Sequence, residues 1–97
     1  MLTRSVFPRL GNDGASFRRD KFLIISNILL LAMDGMKKTE LMYKAGLSSY
    51  QFGKYLPMLS RSELLETLME KKKTLYKTTE KGKNFLHTFE VLVKMLD

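Results

Sequence analysis

The chain has no cysteine, and that absence removes several kinds of chemistry at once. It rules out a disulfide framework, a thiolate metal site and a thiol nucleophile, and it fits a reducing interior. Histidine is nearly as scarce, with His87 alone. One helical turn on either side of it stand Lys83 and Val91, so no carboxylate is there to orient the imidazole for acid–base work. No His, Asp and Glu cluster has metal-ligand spacing, and no glycine-rich loop follows a strand to cradle a phosphate. The sequence therefore predicts no catalytic residue, no metal and no cofactor. The seven methionines lie mostly within apolar helical stretches, where they read as core filling. Long hydrophobic runs are also wanting. The run that begins at Phe22 is interrupted by Ser26-Asn27 and stopped by Asp34-Gly35, too short to span a bilayer. Its late start, with Asp20 before it, argues against a signal peptide. Ninety-seven residues give one domain with a modest core, not a deep enzyme cleft plus a scaffold.

Anions are in short supply too: 10 acidic residues face 17 basic ones, for a net charge of +7. The cations come in blocks. Residues 1–21 carry five against two anions, residues 37–61 five against one, and residues 71–83 six against one, whereas 62–70 has three Glu and no cation. Basic blocks around an apolar scaffold point to a polyanion, because neutralising phosphates releases counterions. An anionic membrane surface would attract the same charge.

Residues 1–16 combine a proline with Gly11-Asn12-Asp13-Gly14 and have no periodicity, which predicts a flexible arm. Arg4 and Arg9 on it could enter a minor groove. The domain proper is expected over 17–97. A first helix is expected over 17–34, with Ser16 as a possible cap. Ile24, Ile28 and Leu31 form one apolar face, and Phe22, Ile25, Leu29 and Ala32 the adjacent one. Such a helix needs cover on more than one side, from its own domain or a second chain. Gly35 closes it, and Met36 can form a short strand.

The stretch Lys37–Arg61 is the organising element. Leu41, Met42 and Ala45 make one apolar stripe, and Phe52, Leu56 and Leu59 a second. Between them, Gly46 can take the left-handed conformation that ends a helix, Leu47 can plug the core, and Ser48 is a good N-cap. Helix, tight turn with glycine, helix is the helix-turn-helix pattern. Residues 50, 54, 57 and 61 fall on one outward stripe of the second helix: Tyr50, Lys54, Pro57 and Arg61, with Ser49 and Gln51 beside its start. Such side chains can reach base edges and phosphates. Lys37, Lys38 and Thr39 open the preceding helix, where phosphates commonly bind. Pro57 predicts a kinked or shortened recognition helix, with Gly53, four residues earlier, easing the bend.

Local rules disagree over residues 64–79. Alone, the segment from Ser62 to Lys73 has helical spacing at 64, 65, 68 and 69, and Ser60 with Glu63 resembles a capping box. Taken with Thr74, Leu75, Tyr76, Lys77 and Thr78, it reads as a β-hairpin with a cationic tip at Lys71, Lys72 and Lys73. The hairpin is the expectation here, a wing after the helix-turn-helix. The last helix, from a Thr78 or Thr79 cap over about 79–96, aligns Phe85, Phe89, Leu92 and Leu96, widened by Leu86 and Val93. That surface predicts a homodimer through the last helix together with helix one.

In this order of parts, with KKTELMYKAGLS, KYLPMLSRSELLE and YKTTEKGKNFL as its local matches, the chain resembles the small basic winged helix-turn-helix DNA-binding proteins of archaea. The resemblance covers about residues 20–96. It implies a mainly α fold with a small β-hairpin, a three-helix core plus wing, and an antiparallel dimer made by the C-terminal helix. It also implies recognition-helix contacts from Ser48, Ser49, Tyr50, Gln51 and Lys54, and wing contacts from Lys71, Lys72 and Lys73. Three features depart from the family. Glu63 stands where glycine usually ends the recognition helix, Pro57 interrupts a helix the family keeps regular, and the last helix stops soon after Leu96. The expected function is double-stranded DNA binding by a non-enzymatic transcriptional regulator or chromatin-type architectural protein, cytoplasmic and nucleoid-associated. The DNA-contact set is Lys37, Lys38, Thr39, Ser48, Ser49, Tyr50, Gln51, Lys54, Arg61, Lys71, Lys72 and Lys73, and the dimer set Phe85, Phe89, Leu92, Val93 and Leu96. A winged helix that binds protein is the alternative.

Overall fold

A computed structural model describes the backbone of residues 13–96, with side-chain surroundings from residue 21 onward. Helix α1 spans Asp13–Leu31, earlier at both ends than the expected 17–34. Ser16 therefore lies inside the helix and does not cap it. Residues 13–16 of the expected arm are thus helical, while Arg4 and Arg9 fall outside the described residues. Of the two apolar faces, the buried one is Ile25, Ile28, Leu29 and Ala32, with Ile24 and Leu31 half-buried on its flank. Phe22, Leu23 and Leu30 stay exposed.

After Gly35, strand β1 (Met36–Lys37) leads into α2 (Lys38–Ala45). Helix α2 ends on Gly46 at φ 70°, with the Gly46 N–H donating to the Tyr43 carbonyl and the Leu47 N–H to the Met42 carbonyl. These two bonds make a Schellman motif and satisfy carbonyls the helix end would otherwise leave open. Helix α3 (Ser49–Arg61) then starts from Ser48, whose Oγ accepts from the Gln51 N–H while Gln51 Oε1 accepts from the Ser48 N–H. That reciprocal pair is the capping box, found here and not at Ser60 and Glu63. Phe52, Leu56 and Leu59 are buried as their spacing requires. Contrary to the expected shortening, α3 runs continuously through Pro57 to Arg61. Buried anchors on both sides of the proline, Leu56 and Leu59, hold the helix together across the missing hydrogen bond.

Helix α3 ends in a second Schellman motif: the Glu63 N–H donates to the Ser60 carbonyl and the Leu64 N–H to the Leu59 carbonyl. Here the left-handed position, φ 62°, is held by Glu63. Strands β2 (Leu65–Glu70) and β3 (Lys73–Thr78) form the hairpin, resolving the local disagreement in favour of the wing. The sheet is antiparallel in the order β1-β3-β2, with Met36 opposite Tyr76 and Leu65 opposite Thr78. Buried Thr78 fastens the sheet to α1: its N–H donates to the Ala32 carbonyl and its hydroxyl to that of Leu29. Thr79 caps α4 (Glu80–Leu96) by accepting from the Gly82 N–H at 3.0 Å, and donates its own hydroxyl to the Glu63 carbonyl at 2.6 Å. Gly82 is required by space. A Cβ there would stand 2.5 Å from the Leu64 carbonyl oxygen and 2.6 Å from a Thr78 methyl.

Candidate nucleic-acid interface

The α2–α3 turn fixes where the recognition face points. Burial of Phe52, Leu56 and Leu59 directs the opposite stripe of α3 to solvent, and Tyr50, Lys54, Pro57 and Arg61 are all exposed. Tyr50 is 72% exposed, with the Lys54 Nζ lying 4.5 Å from its ring centroid. This cation–π contact fixes an ammonium on the outer face of the helix.

The residues around the start of α3 are less free than their types suggest. Ser48 and Gln51 are exposed but engaged in the capping box. Bidentate reading of adenine needs both the carbonyl and the amide of a glutamine side chain. With Oε1 accepting from Ser48 at 3.1 Å, one of the two acceptor directions of that oxygen is committed to the cap, which sets the orientation of the Gln51 side chain. The Ser49 hydroxyl makes only a weak contact, 3.7 Å to the Met42 sulfur. Beside it lies a cleft of about 270 Å³ between α2 and α3, lined by Lys38, Thr39, Met42, Ser49, Phe52 and Gly53. The structure thus joins Lys38, Thr39 and Ser49 in one place. Lys37 sits apart from that cleft lining, on β1 opposite Leu75.

The wing tip is a two-residue loop. Glu70 pairs with Lys73, and Lys71 and Lys72 between them have φ of 50° and 66°. Positive φ at both central residues is the pattern of a type I′ turn, which usually takes Asn-Gly. Each lysine here is held in a conformation that costs an ordinary residue about 1 kcal/mol or more. Lys73 is the first residue of β3, and all three lysines are exposed.

A larger hollow, about 580 Å³, lies between the end of α3, β2 and the start of α4. Its rim carries Glu63, Glu66 and Glu80, with Lys81 bonded through Nζ to the Ser62 carbonyl at 2.8 Å. It is opposite in charge to the α3 face and the wing tip.

On α4, Leu92, Val93 and Leu96 are exposed, Leu96 at 66%. Phe85 and Phe89 are half-buried, and Phe85 packs on Phe22 of α1 with ring centroids 6.4 Å apart. The roles of Thr78, Thr79 and Gly82 as fasteners between α1, the wing and α4 were not legible in the sequence. The Thr-Thr pair reads only as a choice of caps.

The winged helix-turn-helix family model matches residues 18–97. Among solved structures, the chain is similar to Sso10a-2, a DNA-binding protein from Sulfolobus solfataricus, with TM-score 0.67 and 28% identity over 76% of this chain and 78% of that one. The transcriptional regulator PcaV from Streptomyces coelicolor aligns with TM-score 0.64 and 18% identity, covering 89% of this chain and 76% of its own. ZitR from Lactococcus lactis aligns with TM-score 0.61 and 17% identity, covering 99% and 75%. These last two share the fold alone. No curated protein matches the chain. Among the described residues, no helix is long and apolar enough to cross a membrane. With the α2–α3 turn, the hairpin and the family match in agreement, the chain belongs to the winged helix-turn-helix family.

Proposed function

We propose that this chain binds double-stranded DNA as a small non-enzymatic regulator or architectural protein, with α3 in the major groove and the wing tip on the backbone. The observation that carries the reading is the tip. Lysines occupy both left-handed positions of a turn that favours Asn-Gly. Strain retained where two charges are presented marks a functional position. The exposed Tyr50, Lys54 and Arg61 stripe supplies the second cationic surface, and the DNA-binding relative from Sulfolobus supports the assignment. A protein-binding winged helix would need neither. The reading places the protein in the cytoplasm, on the nucleoid.

The test is duplex binding by fluorescence anisotropy. Lys54→Ala and Arg61→Ala should each weaken binding with the melting temperature held. Unchanged affinity in both would remove α3 from the interface.

The reading also includes a homodimer. Leu92, Val93 and Leu96 on α4, with Leu23 and Leu30 on α1, form apolar surface that one chain leaves open. Phe85 and Phe89 contribute what their own domain leaves uncovered. Leu92→Glu with Leu96→Glu should convert a dimer to a folded monomer in sedimentation velocity. A monomeric parent protein would exclude this interface.

A further inference from the structure

Gly53 has no internal reason to be glycine. It lies within α3 on a helical backbone, and glycine inside a helix is destabilising relative to alanine. Its φ is not positive, and a Cβ added there would meet no atom within 4 Å. Gly82 shows the contrast: there a Cβ would collide with backbone at 2.5 Å. Relief of Pro57 does not explain Gly53 either. The proline ring opposes the carbonyl of residue 53, and that carbonyl is present whatever side chain the residue bears. The open space at Gly53 faces the cleft lined by Lys38, Thr39 and Ser49, on the flank of α3 next to the Tyr50–Lys54–Arg61 stripe.

We infer that Gly53 is where the DNA backbone comes closest to α3, its bare Cα forming one wall of a seat for a phosphate. Lys38 supplies the charge of that seat, and the Thr39 and Ser49 hydroxyls can donate to the phosphate oxygens. A side chain at 53 fills the seat from outside the fold, so its cost falls on binding and not on stability. The inference rests on the proposed DNA-binding function and names one contact within it.

The experiment compares the full chain with Gly53→Ala and Gly53→Leu, measuring thermal melting and binding to a random-sequence duplex over a salt series. Both variants should melt no lower than the parent, with alanine raising the midpoint by about 4 °C. Affinity should fall in the order of side-chain size, by about tenfold for leucine. The log–log salt slope should become shallower by about 0.9, the loss of one phosphate contact. Variants that bind as tightly as a DNA-binding parent would overturn the inference and leave the function standing. So would lost affinity accompanied by a lower melting point, which would make Gly53 structural. A parent that binds no duplex would overturn both.

Discussion

The two halves of the molecule end their helices in the same way with different residues. In the helix-turn-helix half, α2 closes on Gly46, and the next helix opens on a complete Ser48–Gln51 capping box. In the wing half, the matching closure of α3 falls on Glu63, and the hairpin turns on Lys71 and Lys72, all three at positive φ. The first half follows the local preferences of the chain. The second departs from them at three charged positions and is held by tertiary fasteners: Thr78 on α1, Thr79 between Glu63 and α4, and Gly82 against Leu64. Each half thus takes its stability from a different source. The turn is specified by its own sequence, whereas the wing is specified by what it is tied to.

The largest expected effect strikes those ties. Gly82→Ala sets a Cβ against the Leu64 carbonyl oxygen, and we expect a loss of about 2 kcal/mol or more in chemical denaturation. A neutral result would break the comparison, since the wing would not then depend on α4. Next comes the tip. Replacing Lys71 by Asn and Lys72 by Gly should stabilise the fold by about 1 kcal/mol while weakening duplex binding. Gains in both would show that the lysines are not there for DNA. Smaller again is the exchange of the two helix ends. Glu63→Gly should stabilise by about 0.5 kcal/mol and Gly46→Glu should destabilise by about 1 kcal/mol. Equal and small effects at both sites would erase the contrast between the halves. Smallest is Lys54→Ala, which should shift the melting free energy by less than about 0.5 kcal/mol, because its contact with Tyr50 is exposed.

This contrast also explains what could be read from the chain. The α2–α3 turn was legible because each signal is local: apolar spacing, one glycine, one serine cap. The hairpin was legible only by weighing Thr74, Tyr76 and Thr78 against the helical spacing of Leu64, Leu65 and Leu68. Burial of Leu65 opposite Thr78 decides it. Pro57 was expected to kink or shorten α3, and the expectation of shortening did not account for tertiary burial on either side of the proline; the start of α1 was misplaced because several residues there could begin a helix. At the candidate site, charge and exposure were legible, since Lys54, Arg61 and Lys71–Lys73 are surface cations by type. The engagement of Gln51 in the cap and the open space at Gly53 were not, because both depend on geometry and not on residue type.

In the proposed complex, cations of α3 and of the wing meet phosphates together. A random-duplex titration across a salt series, run on the parent chain and on a variant with Lys71, Lys72 and Lys73 all changed to alanine, tests this joint engagement. Five engaged cations predict a log–log slope of about −4.5 for the parent, shallower by about 2.7 in the variant. A parent slope near zero, or one that the three alanines leave unchanged, would contradict it.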